Sequence, residues 1–106
     1  MSKGWIGFDL DGTLAYYDEW KGPEHIGDPI PNMLDFVKRL IAKGITVKIF
    51  TARATNPEYI PFIQEWLKEN GIPGLEVTNV KDFEMKMLFD DRCMQVEENT
   101  GRIIVG

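Results

Sequence analysis

The sequence predicts a single α/β domain built on an open parallel β-sheet. Short apolar segments rich in β-branched and aromatic residues alternate along the chain with longer segments of helical period. This alternation predicts βαβ units, in which helical crossovers connect parallel strands. A length of 106 residues supports one compact core, and neither a repeat nor a linker divides it. We therefore expect one domain over residues 1–106.

The first fifty residues predict two strands and a helix, with one long connection. The apolar run 5–8 is cut off by an aspartate, which is typical of a buried strand that ends in a polar turn. The stretch 15–31, here called the flap, contains Gly-Pro and Asp-Pro pairs that exclude a long regular element. Apolar residues at helical spacing predict a helix over 31–43, and the β-branched run 45–50 predicts a central strand.

The second half of the chain predicts one more long helix and several short elements. That helix is expected over 57–70, with Pro61 as its weak point, because a proline beyond the first turn removes a backbone hydrogen bond. The remaining predictions are strands over 75–78, 85–89 and 102–105 and a short helix over 93–99.

Composition excludes several classes of protein and site. Twelve Lys+Arg against 17 Asp+Glu give a net charge of −5, which disfavours binding to nucleic acid through phosphate neutralisation. One cysteine, Cys93, excludes an intrachain disulfide and a four-cysteine zinc site, and the lone His25 excludes zinc sites built on paired histidines. No apolar run is long enough for a signal peptide or a membrane span, so we expect a cytoplasmic protein.

Polar clusters follow three of the predicted strands. Asp9 and Asp11 follow the first strand, Thr51 follows the second, and Asp90 and Asp91 follow the strand over 85–89. Ligands of open parallel sheets bind outside the carboxyl ends of the strands, so these clusters should converge. Carboxylates brought together repel one another unless a cation lies among them, and hard oxygen ligands favour Mg2+. A magnesium site of this kind suits a phosphate-bearing substrate.

Each of these clusters also has an ordinary structural interpretation. An isolated Asp-x-Asp-Gly is more often a turn than a catalytic pair, and Thr51 alone suits a helix N-cap. Lys81, which follows another strand, is a candidate for the remaining positive charge, with Lys86 as a competitor nearby. The combination favours function, because every cluster falls at the carboxyl end of a strand.

Four segments resemble the signature motifs of the haloacid dehalogenase superfamily. Residues 9–14, Asp-Leu-Asp-Gly-Thr-Leu, resemble its first motif, and 50–53, Phe-Thr-Ala-Arg, resemble the second. Lys81 matches the lysine of the third motif, and 89–92, Phe-Asp-Asp-Arg, resembles the acidic fourth motif. The motifs occur in the family's order and span residues 5–92.

The resemblance implies a Rossmann-like open sheet of about five strands in the order 3-2-1-4-5, with helices on both faces. The flap and the segment after the second motif are too short for a cap domain, so the chain resembles capless members. Such members act on large phosphorylated substrates, including phosphoproteins and nucleic-acid ends, or close their site by forming a homo-oligomer. The acidic charge leaves nucleic acid only as a substrate end, and no membrane partner is expected.

The resemblance also implies a phosphomonoester hydrolase with an aspartyl-phosphate intermediate. Asp9 would be the nucleophile and Asp11 the general acid and base, with Thr51 and Lys81 as further catalytic residues. The implied ligands of Mg2+ are Asp9, Asp11 through its main-chain carbonyl, and Asp90. Asp91 is implied either as a further ligand or as a residue that supports the others. The residues implied to bind the phosphoryl group are Leu10, Gly12, Thr51, Arg53 and Lys81.

Two alternatives stay open at this stage. A signalling receiver also gathers acidic residues around Mg2+, but its phosphorylated aspartate follows the third strand rather than the first. A catalytically silent binding module with the same fold is the other alternative. The flap aromatics have two equal interpretations, substrate contact or cover for the core, and they are Tyr16, Tyr17, Trp20 and His25. Tyr59 and Trp66 are assigned to the core by their helical spacing.

Overall fold

The computed structural model describes residues 4–105, which fold around a four-stranded parallel sheet. Its strands are β1 (Trp5–Phe8), β2 (Thr46–Phe50), β3 (Glu76–Thr78) and β4 (Met85–Phe89). Its α-helices are α1 (Pro31–Ala42) and α2 (Ile60–Glu69). The order β3-β2-β1-β4 confirms the α/β class and the first four positions of the predicted strand order. No helix within residues 4–105 is long and apolar enough to cross a membrane.

Both α-helices pack against the same face of the sheet. Ile6 lies opposite Val47 and Phe8 opposite Ile49 in the β1–β2 register, so these side chains share one face by strand alternation. Phe8, Val47 and Ile49 belong to one buried cluster with residues of both helices, namely Val37, Leu40, Ile63, Trp66 and Leu67. The expectation of helices on both faces is therefore wrong for the described residues. The crossovers from β1 to β2 and from β2 to β3 both step in the same direction along the sheet. Because both crossovers are right-handed, their helices lie on the same face.

The opposite face of the sheet is covered by side chains. Trp5 is buried there, with the Lys48 ammonium 4.6 Å from its ring centroid and Phe50 stacked at 6.4 Å. The indole N–H of Trp5 donates to the Asp82 carboxylate at 2.9 Å. This bond holds the β3–β4 connection at the amino end of β1, away from the strand ends that carry the acidic residues.

The second helix begins later than the sequence predicts. Residues Pro57–Tyr59 form a 3-10 turn, and the α-helix starts at Ile60. Pro61 therefore lies in the first helical turn, where a main-chain N–H has no intrahelical partner in any case. The proline sets the beginning of the helix rather than interrupting it.

The C-terminal region differs most from the expectation. Residues predicted as a short helix contain β5 (Gln95–Val96), which pairs antiparallel with β6 (Ile103–Ile104) in a separate two-stranded sheet. Asn99 and Gly101 adopt positive φ angles of 66° and 80° and turn the chain between them. A fifth parallel strand needs a crossover of about a dozen residues or more, and the segment after Asp91 forms a hairpin instead.

The flap forms a hairpin-like loop whose two arms are joined at its base and whose returning arm is bound to α2. Its two arms join through a bridge between Ala15 and Pro29 and a hydrogen bond from Tyr16 N–H to Asp28 carbonyl at 2.8 Å. The indole N–H of Trp66 donates to the Gly27 carbonyl at 2.9 Å. This bond holds the returning arm of the flap against α2.

Candidate metal centre and active site

An acidic cluster forms where β1 and β4 end side by side. Asp9 follows β1, and its main-chain N–H donates to the Phe89 carbonyl at the end of β4 at 2.9 Å. Asp90 and Asp91 come next in the chain, and carboxylate oxygens of the three aspartates lie within 4.8 Å of one another. The prediction that these distant residues meet at one edge is confirmed.

The turn at Gly12 and Thr13 fixes the position of Asp91 in this cluster. The Thr13 hydroxyl donates to the Asp91 carboxylate at 2.9 Å and accepts the Asp91 main-chain N–H at 2.9 Å. Gly12 has a φ of 95°, and a Cβ at that position would lie 2.7 Å from an Asp91 carboxylate oxygen. Glycine is thus required both for the backbone conformation and for the approach of the carboxylate. Thr13 was not singled out from the sequence, although it belongs to the first motif.

Two carboxyl groups of the cluster, those of Asp9 and Asp91, are joined by a hydrogen bond. Burial, a hydrogen bond to Asp91 and the charges of Asp90 and Asp91 raise the pKa of Asp9 from 3.8 to about 7. The slight burial of Asp91 raises its pKa, but hydrogen bonds from Asp9 and Thr13 outweigh it and hold the pKa below its ordinary value. Below about pH 7 the proton of this hydrogen bond therefore belongs to Asp9 rather than to Asp91 when no cation is bound.

The donor set of this cluster fits one small divalent cation. Octahedral coordination at about 2.1 Å places ligand oxygens about 3 to 4.2 Å apart, within the spacing of the three carboxylates. Burial is the largest cause of the raised pKa of Asp9, and the charges of Asp90 and Asp91, which a cation would offset, raise it further. The Asp11 carboxylate does not belong to this group of three and pairs with Arg53 instead.

The carboxylate of Asp11 forms a forked ion pair with Arg53. Arg53 Nε lies 2.7 Å from one Asp11 oxygen and Nη2 lies 2.9 Å from the other. The same guanidinium donates to the main-chain carbonyls of Pro23 and His25 and lies 4.9 Å from the ring centroid of Trp20. Arg53 is 6 % exposed and its donors are engaged, so it joins the flap to Asp11 rather than standing free for a phosphate.

Thr51 stands at the end of β2 with its hydroxyl at the cavity wall. Its main-chain N–H donates to the Thr78 carbonyl at 2.9 Å, which extends the β2–β3 pairing by one residue. Its hydroxyl accepts the Arg53 main-chain N–H at 3.1 Å, which leaves the hydroxyl hydrogen to donate elsewhere. The predicted position of Thr51 beside the acidic residues is confirmed, since both line one cavity.

The main-chain N–H groups of Leu10 and Gly12, both expected to bind the phosphoryl group, each have an acceptor within the loop. The Leu10 N–H donates to the Asp9 carboxylate. The Gly12 N–H donates instead to the Ala15 carbonyl at 2.8 Å. The expectation that Gly12 helps to cradle a phosphate through its N–H is therefore wrong, because the tight turn uses that donor itself.

Neither candidate lysine lies in the cavity. Lys86 packs its stem against Gly4, beside the start of β1 and at the opposite end of that strand from Asp9. Lys81 is exposed on the β3–β4 connection and is absent from the cavity wall, because Asp82 anchors that connection to Trp5. The predicted contact of Lys81 with Asp9 and the phosphate is not found. Arg92, by contrast, lines the cavity. Within residues 4–105 its guanidinium forms no hydrogen bond or salt bridge, and only its main-chain N–H donates, to Asp90.

A cavity of about 870 Å³ joins these groups. Its lining includes the acidic cluster, Asp11 and the buried Thr51, here called the inner part. It also includes the more exposed rings of Tyr17 and Trp20 from the flap and the ring of Tyr59, here called the outer wall. Tyr59, assigned to the core from its spacing, instead lies in the 3-10 turn before α2 and lines this cavity. Asn79 also lines it, and the rule that located Thr51 could have found it, since Asn79 directly follows β3.

Comparison with known proteins supports the fold alone. A conserved protein from Bacteroides thetaiotaomicron has a similar structure, with a TM-score of 0.63 and 21 % sequence identity. The similarity covers 83 % of this chain and 75 % of that one. No family model matches the sequence. No curated protein matches it either.

Proposed function

We propose that this protein is a Mg2+-dependent phosphomonoester hydrolase that acts through an aspartyl-phosphate on Asp9. One observation carries the proposal: the Asp9, Asp90 and Asp91 carboxylates meet within 4.8 Å at a cavity that Asp11 and Thr51 also line. Mg2+ held by the three carboxylates would neutralise their charge and that of the phosphoryl oxygens. Membership of the haloacid dehalogenase superfamily is part of the same proposal and rests on the four motifs.

In the first half-reaction a carboxylate oxygen of Asp9 forms a bond to phosphorus while the bond from phosphorus to the ester oxygen breaks. Asp11 gives its proton to the departing oxygen. In the second half-reaction Asp11 takes a proton from water, whose oxygen bonds to phosphorus as the bond to Asp9 breaks. Phosphate leaves, and both carboxyl groups return to their starting states.

The groups around the reacting phosphoryl provide electrostatic support. The Thr51 hydroxyl has its hydrogen free to donate, and the Arg92 guanidinium is the cation on the cavity wall that Asp11 does not engage. Donors fixed in place before the reaction stabilise developing charge without reorganisation. We assign the cationic role to Arg92, because Lys81 lies off the cavity wall.

The test is hydrolysis of p-nitrophenyl phosphate with and without Mg2+. We expect turnover that chelation abolishes and that Asp9→Asn lowers by at least about a thousandfold. Asp35→Asn is the matched control, because Asp35 is an exposed aspartate on α1 outside the cavity. A stable phospho-adduct without turnover would indicate a receiver-like module instead, and turnover that persists in Asp9→Asn would exclude the proposed nucleophile.

A further inference from the structure

The cavity has two chemically different parts. Its inner part is acidic and polar, whereas its outer wall carries the rings of Tyr17, Trp20 and Tyr59. The volume of about 870 Å³ lies in the range of small-molecule sites and far exceeds what one phosphate needs. The wall therefore has room for the organic part of a phosphate ester.

Two of the three rings of the outer wall, those of Trp20 and Tyr59, contact each other. Trp20 stacks on Tyr59 with centroids 6.0 Å apart and an angle of 29° between the planes. The Arg53 guanidinium lies 4.9 Å from the Trp20 ring centroid and is itself bound to Asp11. Trp20 is nevertheless 50 % exposed. A large ring that is both held and half open to a cavity is preorganised to stack with a planar ligand.

Amide groups lie beside the rings. Asn56 and Asn79 both line the cavity, and the Asn79 amide N–H donates to the Thr55 hydroxyl at 3.0 Å, which orients it. An asparagine amide offers a donor and an acceptor side by side, the pattern that complements the edge of a heteroaromatic base. Aromatic faces with a few fixed polar groups are typical of sites for planar heterocycles.

The charge of the wall favours a single nucleotide over a polynucleotide. Arg53 and Arg92 are the cations of the cavity lining, and Arg53 is paired with Asp11. Binding a nucleic-acid strand requires several cations along its phosphates, and this chain has a net charge of −5.

We propose that Trp20, Tyr59 and Tyr17 form a stacking site for a planar heterocyclic base, so that the substrate is a nucleoside monophosphate. The substrate assignment rests on the proposed phosphatase function. The stacking site does not, since it binds the base whether or not phosphate is removed.

The binding test uses tryptophan fluorescence with adenosine, which has the base but no phosphate. Trp5 and Trp66 are 2 % and 8 % exposed, so Trp20 is the tryptophan that a ligand in solution reaches. We expect saturable quenching by adenosine and none by ribose 5-phosphate. Tyr59→Leu should weaken adenosine binding about tenfold, whereas Phe62→Leu, an exposed ring on α2 outside the cavity, should not.

The activity test compares kcat/KM for adenosine 5′-monophosphate, ribose 5-phosphate and O-phosphotyrosine. We expect the nucleotide to be preferred by about tenfold or more, and Trp20→Leu to reduce this ratio towards one. Quenching without any hydrolysis would overturn the phosphatase function and leave the stacking site standing. Hydrolysis without adenosine quenching, or a preference for phosphotyrosine, would overturn the nucleotide assignment. Circular dichroism checks that Trp20→Leu folds, and Tyr59→Leu repeats the test independently.

Discussion

Arg53 binds the Asp11 carboxylate through two parallel hydrogen bonds, from Nε to Oδ2 at 2.7 Å and from Nη2 to Oδ1 at 2.9 Å. Both oxygens of the proposed general acid are thus occupied, and the same guanidinium holds the flap through the Pro23 and His25 carbonyls. For Asp11 to give a proton to a leaving group, one of these two hydrogen bonds must break. The position of the flap and the state of the proposed acid are therefore linked through one side chain.

Removal of this fork should destabilise the protein. Arg53→Met keeps the apolar stem but leaves the Asp11 carboxylate unpaired, and we expect a loss of about 2–3 kcal/mol in the free energy of unfolding. This is below the figure for a fully buried pair, because Asp11 is partly exposed. Urea denaturation measures the loss.

Arg102 supplies the matched control for that substitution. It forms the same kind of fork with Glu97, with both bonds at 3.1 Å, but on the exposed C-terminal hairpin. Arg102→Met should cost no more than about 0.5 kcal/mol. Equal losses in the two variants would show that the Asp11 pair contributes no more than a surface pair.

Gly12→Ala should damage the metal centre as well as the backbone. Its positive φ makes a Cβ costly by about 1–2 kcal/mol, and the new methyl group would collide with the Asp91 carboxylate. We expect Mg2+ to bind roughly tenfold more weakly, because Asp91 must move. Calorimetric titration gives the affinity.

Gly44→Ala separates these two effects. Gly44 also has a positive φ, of 81°, but nothing lies within 4 Å of its Cβ position. It should lose a similar amount of stability and keep the Mg2+ affinity of the unmodified protein. If both variants lost affinity equally, the contact between Gly12 and Asp91 would not matter.

The metal-free protein should lose stability from Asp9 as the pH rises. Burial first, then the hydrogen bond to Asp91 and the nearby charges, raise the pKa of Asp9 to about 7 from 3.8. Asp9 in the unfolded chain then loses its proton at a lower pH than Asp9 in the folded protein. The contribution of Asp9 to the free energy of unfolding therefore falls as the pH rises from about 4 to about 7. Full linkage would amount to several kcal/mol, but Asp9 is only partly buried and solvent screens its charge, so we expect about 1–2 kcal/mol.

Asp9→Asn isolates that contribution. With a chelator present, the free energy of unfolding of Asp9→Asn should rise relative to that of the unmodified protein by about 1–2 kcal/mol between pH 5 and pH 8. Mg2+ should stabilise the unmodified protein more at pH 8 than at pH 5, because the cation displaces the proton of Asp9. A constant difference between the two proteins across that range would contradict the raised pKa.

Local patterns predicted the elements that local forces determine. The apolar run before Asp9, the amphipathic helix from Pro31 and the strand Met85–Phe89 are found at or within a residue or two of their expected bounds. The C-terminal strand was located correctly in the sequence but assigned to the wrong sheet, because its pairing partner depends on the turn at Asn99 and Gly101 rather than on its own composition.

The site residues that directly follow parallel strands were predictable from the sequence, whereas the pairing of individual side chains was not. Asp9, Thr51 and Asp90 were located correctly because parallel strands deliver their carboxyl ends to one edge. The partner of Arg53 was not predictable, since a phosphate and the Asp11 carboxylate offer the same two acceptor oxygens to its fork. Lys81 was misplaced because the bond between Asp82 and Trp5, 77 positions apart, sets the course of its loop.

The most direct test of the central claim is a calorimetric titration with Mg2+ at pH 8. The three carboxylates should bind one ion per chain, and Asp90→Asn should weaken that binding at least about tenfold, while Asp35→Asn leaves it unchanged. No saturable binding, or the same affinity in Asp90→Asn, would contradict a divalent-cation centre at the shared end of β1 and β4.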